Sequence, residues 1–397
     1  MIRFFTFLRN GFFLWISILP GNTAQAAGVQ FSFYGAEVML NYDPSAFMRE
    51  PVRVDAAGLT SAWRWLEQRS YRSLLEDVQR YKSELRLNDW MYYQLLNTAI
   101  AQLMKGGDAP ARELTTAYLL VKSGYDIRVT FSRNELYVNA YVLEDLYEVP
   151  IIEDAGRQFA NLTAARLKTG PLTAMYMLDI PGLRPGKTFS FNLAVRPALP
   201  ERPHTRLFSF TYRHVVHEIS LQYDEQWVEL LKSYPLTGEM NYINAAASTA
   251  LRNSLVPALN EKLDGLTTAE SLELLAAVTR SGFVYGEDNV QFGRSKPMVA
   301  DELFFYPRSD CEDRTALFFF LVKELLGLPM VVIAYDDHIS LAVSAPGIEG
   351  DIVAYNGLRY LFCDPTGPSN SCEIGRIPEG YEHKSFEIIG EYPDLQR

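Results

Sequence analysis

Ser309-Asp310-Cys311-Glu312-Asp313-Arg314-Thr315-Ala316-Leu317-Phe318-Phe319-Phe320-Leu321-Val322-Lys323 passes within a few residues from an acidic, polar segment into an unbroken apolar run. Acidic residues suit the first turn of a helix, where backbone N–H groups have no intrahelical partner, so the stretch predicts a buried helix that begins at Cys311. The same N–H groups favour a thiolate and bring a cysteine from its ordinary pKa of ~8.5 toward a reactive range. Glu312 and Asp313 oppose that effect electrostatically while serving the helix start.

Downstream, Ala334-Tyr335-Asp336-Asp337-His338-Ile339-Ser340-Leu341-Ala342-Val343 reads as a short turn leading into an alternating strand. A histidine at the head of such a strand reaches a neighbouring helix terminus, where it takes a thiol proton and returns it to a leaving amine. Tyr360-Leu361-Phe362-Cys363-Asp364-Pro365-Thr366 ends another strand, and Asp364 there is expected to accept a hydrogen bond from the far ring nitrogen and fix its tautomer. Taken singly, a histidine at a strand start is usually structural, and Asp-Pro-Thr is a common turn. The order of all three on a helix, a strand and a strand is the stronger signal.

Asp310-Cys311-Glu312-Asp313, His338 and Phe362-Cys363-Asp364-Pro365-Thr366 together resemble the transglutaminase-like superfamily, within the papain-like thiol fold, and in particular its exported bacterial members. The resemblance runs from about Thr267 to Pro368, a quarter of the chain. It implies an α+β catalytic domain with Cys311 as nucleophile, His338 as base and Asp364 as orienter, the Cys311 N–H contributing to an oxyanion hole. It also implies a second oxyanion donor upstream of the nucleophile, for which Tyr285 and Gln291 are the candidates. Hydrolysis of a peptide or carboxamide is expected in preference to crosslinking, again by resemblance.

The N-terminus carries Arg3 and Arg9, an apolar run from Gly11 to Leu19, a Pro20-Gly21 turn and Ala24-Gln25-Ala26. This reads as a secretory signal peptide cleaved after Ala26, because the run is well short of the ~20 residues a spanning helix needs. Export to the periplasm or medium is therefore expected, and no later segment spans a bilayer. Removing two arginines takes the formal charge from −11 to −11 − 2 = −13, which with no long basic run argues against nucleic acid as a partner. A protein or peptide substrate is expected instead.

There are three cysteines. In an oxidising compartment Cys363 and Cys372, joined by the turn-rich Pro365-Thr366-Gly367-Pro368-Ser369-Asn370, form a candidate disulfide that leaves Cys311 as the thiol; three reduced thiols are the alternative. His214-Val215-Val216-His217 falls in an alternating strand that points its two rings to opposite faces, and no Gly-rich phosphate loop, His-Glu-x-x-His or paired Cys-x-x-Cys occurs. No metal and no cofactor is expected.

With 397 residues and 48% apolar content the chain holds two or three ordinary globular domains. Beyond residues 1–26, the expectation is an N-terminal α+β domain over 27–165, a β-rich unit over 166–240 and the catalytic domain over 241–397. Helical spacing covers Thr60 to Met104, is broken at Gly106-Gly107-Asp108, and resumes from about Arg112 to Ser123 before strands at Tyr125–Phe131 and Leu136–Val142. Tyr118-Leu119-Leu120-Val121-Lys122 with Gly124 resembles Phe319-Phe320-Leu321-Val322-Lys323 with Gly327, and two strand-like segments follow each. Superposing Val121 on Val322 sets Pro110 opposite Cys311 and, with a two-residue gap, Glu135 near His338. The N-terminal domain thus reads as a degenerate copy lacking both reactive groups, against the alternative that any amphipathic helix followed by two strands looks alike. That copy, with the β-rich unit, motivates a second functional reading: a non-catalytic binding or assembly protein of the cell envelope.

Overall fold

A computed structural model describes residues 27–163, 174–366 and 373–393. The expected signal peptide and Cys372 lie outside the described residues. The N-terminal half opens with a hairpin of β1 (Ala27–Phe33) and β2 (Ala36–Tyr42), followed by α1 (Ala56–Glu67), α2 (Arg72–Glu84) and α3 (Asp89–Leu103). Then come α4 (Ala109–Lys122), β3 (Ile127–Ser132), β4 (Glu135–Tyr141), β5 (Leu146–Tyr147), β6 (Ile151–Asp154), β7 (Arg157–Asn161) and β8 (Tyr176–Met177). A long hairpin of β9 (Pro203–Tyr212) and β10 (Val215–Asp224) leads to α5 (Glu225–Leu231), β11 (Leu236–Thr237), α6 (Glu239–Ile243), α7 (Thr249–Leu263) and α8 (Thr268–Gly282).

Next are β12 (Val284–Tyr285), α9 (Asp288–Gln291), α10 (Ala300–Phe305) and β13 (Arg308–Ser309). The last part comprises α11 (Cys311–Leu325), β14 (Met330–Tyr335), β15 (His338–Val343), β16 (Ile352–Tyr355), β17 (Leu358–Phe362) and β18 (Glu387–Tyr392). The architecture is α+β, and among the described residues no helix is long and apolar enough to cross a membrane.

One helix–sheet arrangement occurs twice. After α11 the strands order as β16-β17-β15-β14-β18, and after α4 as β6-β7-β4-β3-β8, so each strand has a counterpart in the same place. Helix starts refine the match: Asp108 caps α4 as Asp310 caps α11, which sets Ala109, not Pro110, opposite Cys311. Glu135 opens β4 as His338 opens β15. Asn139 pairs with Asn161 as Ala342 pairs with Phe362, so Thr163 stands where Asp364 stands. The N-terminal arrangement therefore has Ala109 in place of the thiol, Glu135 in place of the imidazole and Thr163 in place of the orienting carboxylate. It also joins α3 to α4 through residues 104–108 alone, where the C-terminal one inserts β12, α9, α10 and β13.

Burial explains why α11 is the centre of the second half. Ala316 through Val322 are all buried, which is the pattern of a helix covered on every side. Along β14, Met330 and Val332 face the helices while Val331, Ile333 and Tyr335 join a second cluster on the other face with Ala342, Val353, Tyr360 and Phe362. Each such side chain contributes roughly 1.5–3 kcal/mol relative to exposure, so the sheet holds its strand ends firmly.

The described residues of the expected β-rich unit over 166–240 divide between two cores. Phe189, Phe191 and Leu193 lack strand structure and join the N-terminal core, whereas Phe208, Phe210, Ile219, Leu221 and Tyr223 join the C-terminal one. A hairpin of two strands has one apolar face and cannot cover it alone, so β9 and β10 lie on α8 and α7. Gly282 permits that approach, since a Cβ there would stand 2.3 Å from Phe208 Cζ.

Candidate active site

The N-terminus of α11 is assembled from acids that accept backbone N–H groups. Asp313, fully buried, accepts from Met298 N–H at 2.7 Å and from Asp310 N–H at 3.1 Å. Asp310 accepts from Asp288 N–H at 3.3 Å, and Asp288 from Lys296 N–H. Burial, then the neighbouring Glu312, pushes the Asp310 carboxyl up to about 7, and burial pushes Asp288 up to about 6. Carboxyls so raised hold protons under mildly acidic conditions, which limits the repulsion that packing these acids together would otherwise bring.

Cys311, the first residue of α11, is partly exposed. Its thiol donates to Glu312 Oε2 at 3.1 Å. Burial above all, then the Glu312 carboxylate, pushes the thiol pKa up, while the Ile339 backbone N–H against the sulfur works the other way. Ile339 follows His338 in the chain, and Thr315 donates its hydroxyl to Ile339 C=O at 3.3 Å, so the thiol sits at the head of β15.

His338 Nε2 lies 2.7 Å from Asp364 Oδ2, with the imidazole largely buried and the carboxylate fully so. With Nε2 held as donor to that carboxylate, Nδ1 is the basic nitrogen. Burial disfavours the Asp364 charge, but the His338 hydrogen bond and charge and the Thr366 N–H at 2.6 Å outweigh it and hold the carboxyl below its ordinary value. The Asp-Pro-Thr turn is itself pinned: Thr279 donates to Pro365 C=O at 3.0 Å, Arg280 donates to Asp364 C=O, and Thr366 Oγ1 donates to Cys311 C=O at 3.4 Å.

Sequence reading missed the residue that ties these parts together. Arg314, buried one turn into α11, donates to Phe283 C=O at 2.9 Å, to Thr366 C=O at 3.0 Å and to Ser309 Oγ at 3.3 Å. Its guanidinium also lies over the Tyr285 ring, 5.3 Å from the centroid. The available signal was an arginine at the head of an apolar run, where a buried charge demands acceptors. Also missed was an aromatic wall around the imidazole: Tyr335 and Tyr381 lie 6.3 and 5.0 Å from the His338 ring, and Lys384 sits over Tyr381 while bridging to Asp337 at 2.9 Å.

The two oxyanion candidates part company. Tyr285, half-exposed, pairs with Ser309 through the parallel β12–β13 bridge beside the thiol, and partial burial, then the neighbouring Cys311 and Asp310, pushes its phenol up to about 12, which keeps it a hydrogen-bond donor. Gln291 ends α9 with both amide atoms buried and no partner among the described residues, and no hydrogen bond ties it to Cys311.

Asp288, Asp310 and Glu312 each bring an oxygen within 4.8 Å of the others, a donor set suited to a hard cation, though their bonds to the helix start account for the buried pair by themselves. His214 is in the β9–β10 turn with φ of 66° and His217 stacks on Phe210, so the two rings form no pair. Cys363 is buried directly after β17, its N–H donating to Leu341 C=O at 2.8 Å. Compared with known proteins, the chain matches no family model, no curated protein and no solved structure.

Proposed function

We propose that the chain is an exported thiol enzyme of papain-like, transglutaminase-like fold that acts on peptide or carboxamide bonds. The observation that carries this reading is the His338–Asp364 pair at 2.7 Å, set at the head of the strand against which the Cys311 thiol packs. In the proposed reaction the Cys311 proton passes to His338 Nδ1 and the sulfur attacks the carbonyl. The oxyanion forms beside the Cys311 N–H and the Tyr285 phenol, and the imidazolium gives its proton to the departing amine. Water, activated by the same imidazole, then hydrolyses the thioester, in preference to an amine acceptor. Asp364 keeps Nε2 protonated throughout and stabilises the imidazolium.

Glu312 is the tension in this reading, because a carboxylate that accepts the thiol proton competes with His338 for it. That contact, with the reactive positions vacant in the N-terminal arrangement, favours the second reading, a cell-envelope binding or assembly protein in which the fold persists without turnover. One experiment separates them: covalent labelling by a thiol-directed, amide-like probe, followed by intact mass. The enzyme reading expects labelling that Cys311→Ala abolishes and His338→Ala strongly slows; labelling undiminished by Cys311→Ala overturns it.

A further inference from the structure

We propose that the free edge of β18 is a docking groove for an extended, lysine- or arginine-bearing peptide segment of a partner protein. β18 is the last strand of the C-terminal sheet, with β14 on one side and, among the described residues, no strand on the other. Its residues Glu387, Ile388 and Ile389 line a cavity of about 650 Å³ whose opposite walls come from β5 and α6. An edge strand that faces an open cavity offers backbone N–H and C=O groups to an incoming strand, the mode in which main-chain bonds supply affinity and alternate side chains supply selectivity.

Charge chooses the occupant. Glu144, Asp145, Glu239 and Glu387 line the cavity, and none of its described lining residues is lysine, arginine or histidine. Glu144 is fixed in place, one oxygen accepting from Ser190 Oγ at 2.6 Å and the other from Phe191 N–H at 2.7 Å. Lys323, which donates to Asn244 at the cavity margin, turns its ammonium to the Tyr392 ring, 5.1 Å from the centroid. Side chains of an added strand alternate with a two-residue period, so basic residues at every second position meet the acids while the others lie against Ile388 and Met240.

The groove also has a fixed relation to the site already described. Glu387 pairs with Ala334, and the next residue of β14, Tyr335, pairs with His338. Two inter-strand spacings, about 10 Å, therefore separate the start of the groove from the imidazole strand. The inference rests on the sheet edge and its charge and stands apart from the thiol chemistry.

The test is fluorescence anisotropy of a fluorescein-labelled hexapeptide alternating lysine and valine, titrated with the full chain at low ionic strength. Saturable binding is expected that falls about tenfold in the Glu239→Lys/Glu387→Lys variant, weakens as salt is raised, and is lost when alternate peptide nitrogens are methylated. Should the double reversal disturb the fold, as circular dichroism would show, Glu239→Gln/Glu387→Gln is expected to weaken binding in the same direction. Cys311→Ala is expected to bind as the native chain does, so failure of the enzyme reading leaves this result standing. Equal binding of the glutamate–valine peptide, equal binding of the methylated peptide, or affinity unchanged in both variants overturns the proposal. So does a dimer that the charge reversals dissolve, which would assign the edge to a second copy of the chain.

Discussion

Replacing Glu312 by glutamine tests how the site holds its thiol. In the native chain a thiolate would stand about 3.1 Å from the Glu312 carboxylate. Two unit charges at that separation repel by about 1.3 kcal/mol in water and about 5 kcal/mol at an effective dielectric of ~20. Glu312 is neither buried nor fully exposed, so the interaction falls between those limits. At about 1.4 kcal/mol per unit, Glu312→Gln lowers the thiol pKa by about one to four units. A more acidic thiol is intrinsically less nucleophilic, with a Brønsted coefficient of ~0.4–0.5, so each unit raises alkylation below the pKa by only about threefold. The expected gain near neutral pH is therefore between about threefold and a hundredfold. The assay is the pH dependence of iodoacetamide incorporation at Cys311, followed by intact mass, with Cys311→Ala as blank. A profile for Glu312→Gln that superimposes on the native one refutes the reasoning, because the carboxylate would then have no hold on the sulfur.

Further outcomes follow from the supports of the site. Arg314→Met removes donors to three buried oxygens and is expected to cost about 3 kcal/mol or more in urea unfolding, with slower Cys311 labelling because the Asp-Pro-Thr turn loosens. Arg314→Lys is expected to recover less than half of that, since one ammonium cannot span the places a planar fork reaches; full recovery would argue against the fork. Burial raises Asp301 from 3.8 to about 6 despite the Asp224 and Ser248 N–H groups it accepts. An acid raised on folding stabilises fully below its unfolded pKa and loses that contribution as pH rises through the folded value. The native chain is therefore expected to lose about 3 kcal/mol from this group between about pH 4 and pH 7. Asp301→Asn carries a constant penalty but no such slope, so a native-minus-variant difference independent of pH would contradict it.

Much of the second half was legible in the sequence because its signals are local. Acids before an unbroken apolar run specify a buried helix that starts at Cys311, and the structure starts α11 there. The turn before His338 and the strand ending at Phe362 are likewise nearest-neighbour patterns, and the helix-then-two-strands similarity pointed to an arrangement whose strand orders correspond. The stretch from Phe189 to Tyr212 failed as a unit because alternation tells which side chains need covering but not by what. Phe191 and Phe208 found different cores, a choice made by elements far away in the chain.

The sequence by itself determined the residue types of the site and the element on which each stands, since helix caps, apolar runs and turns depend on neighbours in the chain. Only the tertiary structure decided what those residues do to one another. It set His338 on Asp364, turned the thiol to donate a hydrogen bond to Glu312, carried the Arg314 fork to Phe283 and Thr366, and left the β18 edge facing an acidic cavity. Each of these is fixed by a distance of a few ångströms between segments tens of residues apart, or by a rotamer choice between adjacent side chains. Hydrogen bonds and pKa values depend on those separations and not on the order of residues along the chain.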